Sequence, residues 1–124
     1  MTPDLRAAIA AVCIADTCDS AVYSLYDHDA AARLNVEAQV GGGRAVSCDR
    51  DSGHSFGGDL PELWYAPAEA WVHLGARGGG VYEGHDRTAG TAFAVRVSGA
   101  VAQLYDHDRQ AWSAYTADLI AAAF

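Results

Sequence analysis

A short motif with an aspartate-bearing turn recurs five times along the chain, and this repeat constrains the fold more than any other feature. Leu25–Asp29 and Leu104–Asp108 both read Leu-Tyr-Asp-His-Asp, and weaker copies occur at Ser47–Asp51, Leu63–Pro67 and Tyr82–Asp86. The residues taken as equivalent are spaced by 22, 16, 19 and 22 positions: Tyr26, Cys48, Trp64, Glu83 and Tyr105. A repeat of this length suits one β-hairpin per unit. The sequence therefore predicts a mainly β protein, an antiparallel meander of about five repeated β-hairpins.

Alternating apolar and polar residues identify strands between these turns. The clearest example is Arg33–Val40, and the same period of two occurs in Ala70–Leu74 and Phe93–Val97. Glycine-rich segments at Gly41–Gly43 and Gly78–Gly80 favour tight reversals at the end opposite the Asp turns. A strongly twisted sheet of about ten strands tends to curl.

The N-terminal segment predicts a buried helix. Thr2 is a candidate N-cap, Pro3 suits the first helical position, and Asp4 places a carboxylate in the first turn. The body of this helix is apolar on every side, which is typical of a helix that is covered all round. We therefore expect a curled sheet or incomplete barrel with the N-terminal α-helix packed against its concave face.

The whole chain is predicted to form a single domain, 1–124. Within it, 1–16 is the helix, 21–116 is the hairpin-repeat sheet, and 117–124 is an apolar tail of at least one helical turn. We expect this tail, which ends in Phe124, to dock on the body of the protein or on a neighbour.

A turn of about six residues makes residues seven apart into cross-strand partners. The predicted pairs are Tyr105 with Trp112, Trp64 with Trp71, and Tyr26 with Arg33. They fall on the face opposite the Leu/Val core, near one end, so this aromatic face is either a second core layer or an exposed patch for a partner or stacked ligand. The predicted binding residues are Trp64, Trp71, Tyr105, Trp112 and Tyr26.

Charge and cysteine content narrow the partners and the compartment. Sixteen acidic against eight basic residues give a net charge of -8, which disfavours nucleic acid phosphates and anionic membranes as partners. Three cysteines are an odd number, which fits a reducing compartment better than a disulfide framework. No apolar run is long enough for a transmembrane helix. We expect a cytoplasmic protein.

The Asp-His-Asp motifs at 27–29 and 106–108 suggest oxygen ligands for a metal, but no complete calcium loop follows them. Aspartate is also a standard turn residue, so we expect turn formers rather than ligands, and His28 and His107 in solvent. A zinc site assembled from Cys13, Cys18, Cys48 and His54 has unusual spacing. We expect no metal and no cofactor.

One cysteine and one histidine lie close enough in sequence to suggest a nucleophile and its base. Cys48 and His54 flank one turn, with Asp49 or Asp51 available to orient the imidazole. Neither a nucleophile elbow nor a phosphate-binding glycine loop accompanies them. We therefore expect a protein that is not an enzyme, with a cysteine-dependent enzyme as an alternative.

The segment Val81-Tyr82-Glu83-Gly84 resembles the opening of membrane occupation and recognition nexus repeats. The resemblance covers one unit of the five, and the other units have Asp where that family has Gly. It implies successive hairpins in an elongated twisted sheet.

The leading hypothesis for function is a non-enzymatic binding or assembly module. It would act through the aromatic face, the apolar termini or both, with a protein partner or another copy of itself as a homo-oligomer. The alternative is a protein that binds a small apolar or planar ligand, with the curled sheet as a cup walled by Tyr and Trp.

The alternation makes a testable prediction about the core. Val72→Ala or Val95→Ala should lower the free energy of unfolding by about 1–3 kcal/mol, because buried methyl groups are removed. Glu37→Ala and Arg96→Ala should change it little, because these side chains point away from the core. Denaturant melts of the four variants check this, and equal sensitivity would mean that the register is shifted by one residue.

Overall fold

The structure is a computed structural model and describes residues 1–121. Its helices are α1 (Pro3–Cys18) and a short 3-10 turn (Ala66–Ala68). Its strands are β1 (Ser20–Asp27), β2 (Ala32–Leu34), β3 (Val36–Gly41), β4 (Arg44–Asp49), β5 (Ser55–Asp59), β6 (Glu62–Tyr65), β7 (Ala70–Gly78), β8 (Val81–Asp86), β9 (Thr91–Ser98), β10 (Val101–Asp106) and β11 (Ala111–Ala121).

The strands form a closed antiparallel meander barrel. Each strand from β3 to β10 pairs with the next one, and β2 and β3 both pair with β1 as two parts of one strand interrupted at Asn35. β11 pairs with β1, from Ser20 opposite Ala121 to Asp27 opposite Tyr115, which closes a ring of ten strands. The predicted curled meander is confirmed, and it curls to full closure rather than into an elongated sheet.

The segment 117–121, predicted as the start of an apolar helical tail, is instead the end of β11. Ala117 and Leu119 turn toward the core, whereas Asp118 and Ile120 are exposed, so the segment has strand periodicity. Its partner is β1, about a hundred residues earlier in the chain. Phe124 and the rest of 122–124 lie outside the described residues.

The helix α1 fills the interior of the barrel. Every residue from Leu5 to Ala15 is buried, and the helix contacts β1, β3 and β4 as well as β9, β10 and β11. Alanine occupies positions 7, 8, 10, 11 and 15, which keeps the helix narrow. A barrel of eight strands is already wide enough for its own side chains to fill, so ten strands leave room for a slim helix.

The N-terminal end of α1 is capped as the sequence indicates, whereas its C-terminal end lies beyond the predicted one. The Thr2 hydroxyl accepts a hydrogen bond from the Leu5 N–H at 3.3 Å, and Pro3 begins the helix. The helix ends at Cys18, beyond the predicted end at 16, and Asp19 follows in the left-handed conformation with its N–H donating to Ala15.

The predicted face assignments are confirmed. Five of the six residues assigned to the core are fully buried, and Leu34 packs against them while partly exposed: Val36, Val72, Leu74, Val95 and Val97. The side chains predicted to point away are exposed at Arg33, Glu37 and Arg96 and half-buried at His73. Side-chain alternation alone was sufficient to set this register.

Four of the five repeat turns share one hydrogen-bonding pattern. In each, an Asp Oδ1 accepts hydrogen bonds from the backbone N–H groups two and three residues later, at Asp27, Asp49, Asp86 and Asp106. The fifth turn replaces this aspartate with Tyr65 and the 3-10 turn. A residue with positive φ stands four positions after the anchor in all five turns: Ala31, Gly53, Glu69, Gly90 and Gln110.

These turns correct one of the predicted equivalences. The residue that precedes the turn anchor is Tyr26, Cys48, Trp64, His85 or Tyr105, so the fourth unit aligns on His85 and not on Glu83. The segment Tyr82-Glu83-Gly84 resembles the repeat but lies two residues before the position that the turn hydrogen bonds assign. His85 therefore takes the outward position that the tryptophan or tyrosine has in three other units.

The enclosed helix predicts a strict size limit at its alanines. Ala10→Leu should lower the free energy of unfolding by about 1–3 kcal/mol or more, because the barrel wall leaves no space for the larger side chain. Ala92→Leu, on the exposed outer face of β9, is the matched control and should change stability little. Chemical denaturation of both variants is the measurement, and a tolerant Ala10 would contradict the enclosed position of α1.

Candidate functional site

The three predicted cross-strand pairs are all present. Tyr105 lies opposite Trp112, Trp64 opposite Trp71, and Tyr26 opposite Arg33. The ring centroids of the Tyr105–Trp112 pair and of the Trp64–Trp71 pair are both 5.1 Å apart, with interplanar angles of 87° and 59°. Contacts of this kind stabilise the sheet that carries them.

These aromatic side chains stand on the outside of the barrel. The exposed fractions of Trp64, Trp71 and Trp112 are 36%, 49% and 56%. The interpretation of the aromatic face as a second core layer is therefore wrong, because α1 and the inward side chains already make up the core. The structure agrees instead with the interpretation of the aromatic face as an exposed patch.

The aromatic face is divided into two clusters. β8 and β9 separate the Trp64–Trp71 pair from the Tyr105–Trp112 pair by about 14 Å across the strands at the usual spacing. The pairs are also offset along the strands, because Tyr105 is level with Gly75 and not with Trp71. Tyr26, on β1, is exposed opposite Thr116 of β11, four residues along the strand from Trp112, and its ring meets His28 edge-on at 5.0 Å. The aromatic residues thus share the outer side of the sheet, as predicted, but they do not form one continuous patch.

The Trp64–Trp71 pair belongs to a longer apolar row. Successive strands from β4 to β7 place residues directly opposite one another in the order Val46, Gly57, Trp64 and Trp71. Val46 is among the most exposed apolar residues of the described chain. Because Gly57 has no side chain, a depression lies between Val46 and Trp64.

The charges around this row are paired within the chain. Arg44 lies 3.2 Å from Asp59 on one side, and Arg87 lies 2.6 Å from Glu62 on the other. The net charge of -8 is therefore not concentrated at the row. Many of the chain's carboxylates lie instead in the repeat turns.

A group of polar side chains, His73, His85 and Glu62, lies next to Trp71 on the outer face. His73 and His85 face each other across β7 and β8, with ring centroids 5.5 Å apart and an interplanar angle of 26°. His73 Nδ1 lies 2.8 Å from Glu62 Oε1. The hydrogen bond to His73, with that to Arg87, holds the pKa of the Glu62 carboxyl below its usual range, so Glu62 is an acceptor at neutral pH.

The Asp-His-Asp motifs serve as turns. Oδ1 of Asp27 and of Asp106 accepts backbone hydrogen bonds, and exposed His28 contacts Thr116 Oγ1 at 2.7 Å through Nε2. Among residues 1–121, no group of three or more His, Cys, Asp or Glu side chains is arranged to hold a metal ion.

The cysteines do not converge. Cys13, on α1, is buried inside the barrel. Burial, with the Asp16 charge, raises the pKa of its thiol well above the usual value. Cys18 donates to the Gly99 carbonyl at the other end of the barrel from the Asp turns. Cys48 pairs with Ser55 on the outer face.

The proposed nucleophile and base are also separated. His54 faces Asp4 of α1, with 3.9 Å between His54 Nδ1 and Asp4 Oδ2. Cys48 stands on the outside of the wall, opposite Glu37 and Ser55. The two residues flank one turn, as predicted, but on opposite sides of the sheet.

The barrel interior is not shaped as a ligand cup, because α1 occupies it. The helix is also tied to the wall by Tyr82, whose hydroxyl lies 2.6 Å from Asp16 Oδ2 and 2.8 Å from Thr17 Oγ1. Burial and the Asp16 bond raise the pKa of the Tyr82 phenol far above its usual value, so it remains a neutral donor. A small ligand would have to bind on the outer surface.

Comparison of the chain with known proteins finds no relative: it matches no protein-family model, no curated protein and no solved structure. The resemblance of Val81–Gly84 to membrane occupation and recognition nexus repeats thus has no support beyond those four residues. In the described part of the chain, no helix has the length and apolarity needed to cross a membrane.

Sequence reasoning missed the Val46–Gly57 depression and the His73–His85 pair. Both follow from hairpin register. The reversal at Gly78–Gly80 places residue 73 opposite residue 85 once an irregularity between Ala76 and Gly78 is included. That irregularity has no local sequence signature beyond the glycines.

The shared turn pattern predicts a graded response at Asp86. Asp86→Ala should lower the free energy of unfolding by about 1–3 kcal/mol, because the Thr88 and Ala89 N–H groups lose their acceptor. Asp86→Asn retains an Oδ1 acceptor and should cost less. Thermal melts test this order, with exposed Asp108→Ala as the control, and equal losses for Asp86→Ala and Asp108→Ala would contradict it.

Proposed function

We propose that this protein is a non-enzymatic assembly module that associates through the apolar row Val46–Gly57–Trp64–Trp71. The observation that carries the proposal is the exposure of the Trp64–Trp71 pair on the outside of a barrel whose interior is already filled. Tryptophan and other aromatic residues dominate the binding energy of protein interfaces. Side chains of this size are otherwise costly to leave in water.

Closure of the barrel limits how a partner binds. β11 pairs with β1, so among the described strands only the three-residue β2 has an unpaired side to which another strand could add. A partner must therefore dock on side chains of the outer surface. This favours a face with large apolar groups over backbone recognition.

The simplest occupant of the row is a second copy of the chain. A two-fold interface requires a surface that is complementary to itself. The row supplies both halves, because Trp64 and Trp71 project while Gly57 leaves a depression beside Val46. Two copies in antiparallel orientation place the tryptophans of each in the depression of the other.

Electrostatics around the row are compatible with self-association. A net charge of -8 repels a second copy at long range. Near the row, however, Arg44 neutralises Asp59 and Arg87 neutralises Glu62. Association should therefore strengthen as salt screens the remaining carboxylates.

A small planar ligand on the same face is the second candidate. A shallow depression lined by Glu62, Trp71 and Arg87 combines an indole face with a carboxylate and a guanidinium. Such a surface stacks a planar or apolar group and hydrogen-bonds at its rim. This alternative replaces the cup inside the barrel with a site outside it.

The assembly proposal predicts a position-specific effect on the dimer. Trp71→Ser should raise the dimer dissociation constant about 30-fold or more, as expected for an interface residue worth about 2 kcal/mol. Trp112→Ser is the matched control, because Trp112 is at least as exposed as Trp71 but lies in the other cluster. Sedimentation velocity over a range of concentrations measures both constants.

Two outcomes would contradict the proposal. If the wild-type chain remains monomeric at about 1 mM, association through this row is excluded at any useful strength. If Trp112→Ser dissociates the dimer and Trp71→Ser does not, the interface is the Tyr105–Trp112 cluster instead. Val46→Arg, which places a charge beside the depression, should act like Trp71→Ser.

A further inference from the structure

The paired imidazoles of His73 and His85 have the features of a metal-binding pair. They lie directly opposite each other on the exposed face of β7 and β8, 5.5 Å apart between ring centroids. His85 is exposed and can adjust its side-chain rotamer, while His73 is half-buried and held. Neutral imidazole is the commonest metal ligand in proteins and suits zinc, copper and nickel.

Glu62 sets the hydrogen position on His73. An ionised carboxylate only accepts hydrogen bonds, so the 2.8 Å contact requires that His73 Nδ1 carries the hydrogen. The Nε2 atom of neutral His73 then holds the lone pair. A carboxylate that orients the far nitrogen of an imidazole is the usual arrangement behind a metal-bound histidine.

His73 Nε2 lies next to a residue without a side chain. Nε2 lies only 3.4 Å from the position that a Cβ on Gly75 would occupy. A Cβ there would be in ordinary van der Waals contact with this nitrogen, whereas glycine leaves the space beside it open. In the described part of the chain, no hydrogen-bond partner is found for His73 Nε2 or for the His85 ring.

We propose that His73 and His85 form a two-imidazole site for a divalent transition metal such as Zn²⁺ or Cu²⁺, with Glu62 as the positioning residue. His73 binds through Nε2, His85 through a ring nitrogen, and water completes the coordination. Zinc–nitrogen bonds of about 2.0–2.1 Å are within reach of facing rings once His85 rotates. The site uses neither the repeat turns nor the cysteines.

The charges around the pair balance one another. Glu62 is bonded to Arg87, and Glu83, which lies opposite Gly75, is paired with Arg77 at 3.1 Å. Trp71 on β7 and the alanines of β9, including Ala92 opposite His85, bring no charge. Neither arginine leaves an unpaired cation at the site, and the net charge of -8 attracts cations at long range.

Titration calorimetry of the full chain with ZnCl₂ tests the site. We expect one ion per chain, and affinity at least about tenfold lower for His73→Gln and for His85→Gln, since each removes one ligand. Glu62→Ala should weaken binding about tenfold, the usual effect of removing a carboxylate behind a ligand. Binding should also weaken toward pH 5, because protons compete for the imidazoles.

Matched controls separate the site from general charge and from other histidines. Glu83→Ala removes a carboxylate from the same surface without a contact to His73, and it should weaken binding less than Glu62→Ala. The exposed turn variants His28→Gln and His107→Gln should leave affinity unchanged. Thermal melts verify that every variant is folded, and His85→Gln, at an exposed position, keeps the test valid if His73→Gln is unstable.

CuCl₂ gives an independent readout, because bound Cu²⁺ quenches nearby tryptophan fluorescence. Trp71 is two residues from His73 on the same face, about 7 Å along the strand. Trp71→Phe should remove most of the quenching, whereas Trp112→Phe should not. The proposal is overturned if Zn²⁺ does not bind below about 1 mM, or if the turn histidine variants weaken binding as much as His85→Gln. An equal effect of Glu62→Ala and Glu83→Ala would remove the positioning role.

Discussion

The structure depends on the burial of one apolar helix inside a closed sheet. A ten-strand wall encloses more space than its own inward side chains fill, and a helix that is apolar on all sides cannot remain in water. Each element thus satisfies the other. The alanines of α1 set the distance between helix and wall, so the strand number and the helix composition are linked.

The repeat turns provide the geometry that this enclosure requires. Each Asp Oδ1 accepts two backbone hydrogen bonds and fixes the length of its loop, and the residue with positive φ returns the chain to the next strand. The same motif therefore explains residues that otherwise resemble metal ligands. The residue before each anchor points outward and takes no part in the turn. In three of the five units this residue is an exposed or partly exposed Trp or Tyr.

The sequence predicted what local rules determine. Loop length made Trp64 and Trp71 partners, alternation separated Val72 from His73, and all-round apolarity indicated that α1 is covered. It did not predict what depends on distant residues. The pairing of β11 with β1 has no local signal, and a short run such as Ala117–Ile120 is compatible with a helical tail or a strand. The facing of His73 and His85 required the irregularity near Gly78, which only the three-dimensional register shows.

Closure between the first strand and the last affects the order in which the protein can form. α1 leads the chain, yet the wall that covers it is complete only when β11 reaches β1. Contacts between residues so far apart in sequence slow folding, because a large loop must close before they form. Until β11 has been synthesised, α1 is incompletely covered, and transiently exposed apolar surface of this kind promotes aggregation.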